Sequence, residues 1–158
     1  MKKGLIATIA AIVGGAAGSA VTCNFLSKKV KQEEKNVDKF KGYYNVLNKW
    51  LSLKQEGKSP EEYFLNNGYK KIAIYGMGEL GNRLYDELKN SGVEVKYAID
   101  KNIADTYSGL KVLDLEDRFE EVDVIVVTAI FAFDEIEETL HSKVDFPIIS
   151  LEDVVWEA

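Results

Sequence analysis

A glycine turn between a short apolar strand and a helix decides most of what this chain can become. Ile72, Ala73, Ile74 and Tyr75 run without a polar break, as a parallel strand covered on both faces requires. Gly76-Met77-Gly78-Glu79-Leu80-Gly81 follows, a GxGxxG at the strand-to-helix junction. In such a turn the first glycine takes a backbone conformation closed to other residues. The second lets a phosphate approach the main chain, and the third lets helix and strand pack closely. Leu80, Leu84, Tyr85 and Leu88 then recur at helical spacing, with Gly92 placed to end the helix. Val93, Val95, Tyr97 and Ile99 alternate as a second strand. Asp100 closes it about twenty residues beyond Gly81, where a carboxylate can accept hydrogen bonds from a ribose diol.

The remainder reads as one small sheet. Leu110–Leu113 is expected as a short strand, Leu115–Glu121 as a brief helix, and Val122–Thr128 as the most apolar strand. Phe133, Ile136 and Leu140 mark another helix. Phe146–Ile149 gives a last strand, and Ser150 is placed to cap a terminal helix over Leu151–Trp156. Lys101–Gly109 is polar and short, so the second crossover is expected as a loop or a single turn. The expected fold is therefore α/β: a small, doubly wound, Rossmann-like parallel sheet of about five strands in the order 3-2-1-4-5. Ligands of such sheets lie beyond the strand carboxyl ends. The binding set predicted on that ground is Gly76, Met77, Gly78, Glu79, Leu80, Gly81, Asp100, Lys101, Thr128 and Ala129. Glu79 works against a phosphate at the helix start, and Arg83, one turn on, is placed to pair with it or to reach the phosphate.

Ahead of the sheet, Gly4–Leu26 holds no charged residue and is flanked by Lys2-Lys3 and Lys28-Lys29. As a helix it would extend roughly 34 Å, enough for a hydrocarbon core. The stretch reads as a transmembrane helix over 1–27, with a cleaved signal peptide and a lipoprotein box at Cys23 as competing readings. Six lysines between Lys28 and Lys41 put the long C-terminal part in the cytoplasm, as a single-pass protein of the cell membrane. Residues 28–58 read as a basic juxtamembrane helix. Val30, Val37, Tyr44 and Leu51 recur every seven residues, with Phe40 and Leu47 between them. Such a stripe, together with Gly14 and Gly18 in the span, suits a homodimer. Tyr43–Leu51 is expected to dock on the globular part, which occupies 59–158 and opens with a helix started by Ser59-Pro60-Glu61-Glu62.

Charge excludes one class of partner. Eleven lysines stand against six acids before Lys70, and nine basic residues against twenty acids from Lys70 onward. So acidic a domain is a poor nucleic-acid binder. Catalytic groups are sparse as well. His141 is the only histidine and Cys23 the only cysteine, too few for a zinc site, and Cys23 sits in the apolar stretch with no base near it in sequence to activate it.

The patterns IAIYGMGELGNRLYDEL, VKYAIDKN, VDVIVVTAI and PIISLEDV together resemble the truncated Rossmann modules attached to bacterial glycosyltransferases, sugar acyltransferases and other envelope-polysaccharide proteins. KWLSLKQEGKSPEEYFLNNGYKKIAIYG is similar to the lead-in of stand-alone, membrane-anchored members. The resemblance implies contact with a nucleotide-sugar through Gly76, Gly78 and Asp100. The expected function is a membrane-anchored module that binds a nucleotide or nucleotide-sugar without catalysis of its own, as an accessory or sensor of an envelope-polysaccharide enzyme. Two alternatives stay open. One is a scaffold that recruits a partner and binds no ligand; the other is an NAD-dependent enzyme completed by another chain.

Overall fold

The computed structural model describes residues 27–101 and 109–158, together with the helical backbone of 2–26. Helix α1 (Lys2–Gln55) is followed by α2 (Pro60–Asn66), β1 (Lys71–Tyr75), α3 (Glu79–Leu88), β2 (Glu94–Ile99) and β3 (Val112–Leu113). Then come β4 (Val124–Val127), a 3₁₀ turn at Ile130–Ala132, α4 (Phe133–His141), β5 (Ile148–Ser150) and α5 (Leu151–Glu157). The chain divides into two compact units, 1–41 and 42–158.

In the second unit the five strands lie in the order β3-β2-β1-β4-β5, and every pairing is parallel. The predicted order is the observed one. β4 is buried at all four positions. Each face of the sheet carries its own apolar layer. Ile72, Ile74, Val124 and Val126 pack with Leu80, Leu84 and Leu88 of α3, Phe64 of α2, and Leu151, Val154 and Val155. Ala73, Tyr97, Ile99, Ile125 and Val127 meet Leu113, Leu140 and Ile148 on the other face. The last turns of α1 belong to the first layer through Val46, Trp50 and Leu53, all buried. The seven-residue repeat is a different set. Tyr44, Leu47 and Leu51 remain exposed, and so do Val30, Val37 and Phe40 in the first unit.

The membrane assignment needs correction. Among the described residues no helix is long and apolar enough to cross a membrane. The described part of α1 is too charged for it, with Lys28, Lys29, Lys31, Glu33, Glu34 and Lys35 following one another. The side chains of Gly4–Leu26, where the span was expected, lie outside the described residues. The transmembrane helix of the expected fold, the membrane keyword and the single-pass cell-membrane localisation are therefore not upheld.

Smaller differences have local causes. Ser59 precedes α2 without a side-chain cap, its backbone carbonyl accepting from the Glu62 amide instead, while Glu61 reaches across to accept a hydrogen bond from the Gly92 amide at 2.6 Å. α3 stops at Leu88 with Lys89 as its cap, ahead of Gly92. Leu115–Glu121 forms no helix. The Asp117 carboxylate accepts from the Asp114 amide, and Asp114 in turn accepts from the Glu116 amide, so side chains hold the backbone in a turn. Leu115 and Phe119 still pack on the sheet as expected. Ser150 caps α5 by accepting from the Glu152 amide. The Lys101–Gly109 loop was expected across residues of which 102–108 lie outside the described set.

One carboxylate pins the start of the sheet. Asp123 Oδ2 accepts from the amides of both Lys70 and Lys71, each at 2.7 Å. These bonds, that from Lys71 first, hold its carboxyl below the usual carboxylate range. A lowered folded-state value means the stabilisation is present at neutral pH. It disappears as pH falls below about 4 and through the lowered value. Asp123→Asn should lose about 1 kcal/mol at pH 7, kept small by the group's exposure to water. Urea midpoints of the two proteins, compared from pH 7 down to pH 3, should converge in acid. A gap that holds constant with pH contradicts this role.

Candidate functional site: the glycine turn and its cleft

The three glycines of the turn differ in what the protein itself asks of them. Gly76 has φ +92°, a left-handed conformation that only glycine takes without strain. Gly81 lies so close to the turn that a Cβ there would sit 2.0 Å from the Gly76 carbonyl oxygen. Gly78 has neither restriction. Its φ is −71°, and a Cβ would meet nothing within 4 Å. The fold needs the first and third glycines, whereas the second leaves open space above the main chain. Gly78 is also the N-cap of α3 and supplies no side-chain acceptor. The N–H groups of the first turn, which no helix satisfies internally, thus receive no side-chain cap from this position.

The turn is held from two sides. Thr128 is buried, and its Oγ1 donates to the Gly76 carbonyl at 2.6 Å. This hydroxyl fastens the turn to the end of β4. On the other side the Gly76 amide donates to the Ile99 carbonyl at 2.8 Å, and the Met77 amide donates to Asp100 Oδ2 at 2.6 Å. The end of β2 and the turn are therefore tied by two adjacent bonds.

Beyond the carboxyl ends of β1, β2 and β4 lies a cleft of about 330 Å³. Tyr75, Gly76, Ile99, Asp100 and Lys101 line it, with Ala129, Phe131, Glu135 and Ile136 on the side after β4. Its size falls within the range of small-ligand sites. Of the predicted set, Gly76, Asp100, Lys101 and Ala129 line this cleft. Met77 borders it through its bond to Asp100, and Gly78, Glu79 and Leu80 form the adjoining start of α3. Leu80 and Gly81 are themselves buried against the sheet. Glu79 is exposed, and no ion pair joins it to Arg83 among the described residues.

The wall after β4 went unread in the sequence. Phe131, Glu135 and Ile136 sit in the 3₁₀ turn and in α4. The available signal was topological, since a crossover that leaves the end of β4 must pass the mouth of the cleft. Phe131 packs edge-on against Tyr43 of α1, with ring centroids 5.9 Å apart. Burial, joined by the charges of Asp100 and Asp114, pushes the Tyr75 phenol up. Glu135 adds a further carboxylate to the cleft, and Lys101 is the cation among the described residues of its lining.

A second depression, about 620 Å³, lies away from the glycines and is lined by Asp117, Arg118, Phe119, Glu121 and Lys143–Phe146. Its charges are mixed. No group of three or more His, Cys, Asp or Glu side chains suits a metal ion among the described residues.

Two comparisons bear on the site. The family described as C2185-like, N-terminal matches residues 68–147, a span that takes in β1, the glycine turn, α3 and β4. A ketol-acid reductoisomerase (NADP(+)) of Serratia proteamaculans (strain 568) is 33% identical over 100 residues, covering 53% of this chain and 20% of the relative. The chain thus spans about a fifth of that protein's length. No solved structure gives a match.

Proposed function

We propose that this chain, which belongs to the C2185-like, N-terminal family, binds a pyrophosphate-bearing nucleotide through its glycine turn. The observation that carries the reading is Gly78. Neither its backbone conformation nor its surroundings require a glycine there, and as the N-cap it gives the first amides of α3 no side-chain acceptor that a phosphate would have to displace. A phosphate on those amides would gain several hydrogen bonds and the favourable end of the helix dipole. Its nucleoside would then lie over the end of β2. An adenine dinucleotide is the first candidate, supported by the stretch shared with a reductoisomerase whose name specifies NADP(+). A nucleotide-sugar is the second, supported by the likeness to modules of envelope-polysaccharide proteins. In either case the module serves as a nucleotide receptor for a partner enzyme.

Isothermal titration of the full chain with NAD and with UDP-glucose tests this. Binding of either with a dissociation constant of about 100 μM or tighter is expected. Absence of heat with both leaves the scaffold reading, in which the glycines serve only the turn and partner capture is indifferent to nucleotide.

A further inference from the structure

We infer that α1 pairs with α1 of a second copy of this chain as a parallel, in-register, two-stranded coiled coil, with Val30, Val37, Phe40, Tyr44, Leu47 and Leu51 as its seam. The inference is independent of the nucleotide reading. α1 is one helix from Lys2 to Gln55. Its last turns already have a packing face, since Val46, Trp50 and Leu53 join the core layer that holds Ile72, Ile74 and Leu84. That face lies off the seven-residue repeat and leaves it bare. Val30, Val37, Phe40, Tyr44 and Leu51 are each more than half exposed, and Leu47 is 40% exposed. So regular an apolar row, on a helix packed through another face, marks an interface. Seven residues past Leu47, Lys54 instead pairs with Glu87 of α3, which ends the row.

Charge selects the occupant and its direction. Lys29 and Glu34 flank the row from opposite sides, and both are exposed. No ion pair within the chain engages either of them among the described residues. In a parallel pair the residue just before Val30 meets the one just past Glu33 on the other helix. Lys29 therefore faces Glu34 of the second copy, and the symmetry of the pair makes the same contact twice. One heptad on, Asn36 faces Lys41, and beyond it Tyr43 and Trp50 carry no charge, so no like charges meet along the flanks. Valine at 30 and 37 favours two strands over three. Glu33 is the one charged residue inside the row, and there the two copies set carboxylate against carboxylate. It weakens the pair and keeps the association reversible.

The test is sedimentation equilibrium of the full chain, repeated with Val37→Lys, Lys29→Glu, Lys29→Glu/Glu34→Lys and Glu33→Leu. Each substituted position is exposed, so the thermal transition of the second unit should not move. The wild type should dimerise with a dissociation constant of about 100 μM or tighter. Val37→Lys, which sets two ammonium groups in the seam, should weaken the dimer at least about 30-fold. Lys29→Glu should weaken it about fivefold, and the exchanged pair Lys29→Glu/Glu34→Lys should return it to within about twofold of wild type. Glu33→Leu should tighten it at least about tenfold. A wild type still monomeric at about 300 μM overturns the inference and leaves the face to the helix of a different protein. A trimer overturns it too, as does a dimer indifferent to Val37→Lys, whose interface must lie elsewhere. Failure of the exchanged charges to restore affinity overturns the parallel register.

Discussion

Gly81→Ala should cost the second unit about 2–4 kcal/mol and lower its thermal midpoint by about 10 °C or more. The added methyl would sit 2.0 Å from the Gly76 carbonyl oxygen and 3.1 Å from its carbonyl carbon, with Thr128 Oγ1 at 3.3 Å. None of these is the loose end of a flexible side chain. The Gly76 carbonyl is held by the Thr128 hydroxyl, and the Gly76 amide by the Ile99 carbonyl. Relief therefore requires α3 to lift from β1, which opens the contacts of Leu80, Leu84 and Leu88 with Ile72 and Ile74. Differential scanning calorimetry reads the effect directly. A midpoint within about 2 °C of wild type would mean that the turn yields easily and does not fix the helix.

Gly78→Asp should do the opposite: keep the fold and abolish nucleotide binding. Its φ of −71° and ψ of −162° suit any residue, and no neighbour obstructs a side chain. Aspartate is among the preferred N-cap residues, so stability should stay within about 0.5 kcal/mol or rise slightly. The cap works, however, by giving its carboxylate to the same first-turn amides that a phosphate would use. It also adds a negative charge where Glu79 already stands. Affinity for NAD should fall at least about 100-fold. An unchanged affinity in a folded Gly78→Asp protein would move the ligand off the turn. Set beside Gly81→Ala, the pair separates a glycine kept for packing from one kept for access.

The sheet was legible because its signals were redundant. Ile72–Tyr75, the glycines and Asp100 each pointed to the same strand, turn and strand, and the order β3-β2-β1-β4-β5 followed from connection rules. What failed was local pattern without tertiary context. Ser59 and Glu62 have the spacing of a capping box, but the Ser59 hydroxyl makes no cap and its backbone carbonyl takes the Glu62 amide. The Asp114 and Asp117 side chains close a local turn with the amides of Glu116 and Asp114 where a helix over Leu115–Glu121 was expected. In α1 the segment expected to dock, Tyr43–Leu51, does pack on the sheet, but through Val46 and Trp50, which lie off the heptad register. A long uncharged run was read as a membrane span on length and composition alone, and no described helix qualifies as one.

The site was half legible. Topology brought the turn, Asp100 and the end of β4 together, but topology is silent on what each side chain then does. Thr128 was placed in the binding set, and its hydroxyl secures the Gly76 carbonyl. Asp100 was expected at the ribose, and its bond to Met77 is visible only in three dimensions. The separate roles of the three glycines were read from the GxGxxG spacing, and the structure adds what a Cβ at each would meet.

The most direct measurement is amide chemical-shift mapping of the ¹⁵N-labelled full chain during addition of NAD. Binding at the turn predicts that the amides of Met77, Gly78, Glu79 and Leu80 move most, with that of Asp100 moving alongside. Shifts confined to the depression around Asp117, Arg118 and Lys143, or no shifts at saturating NAD, would contradict it.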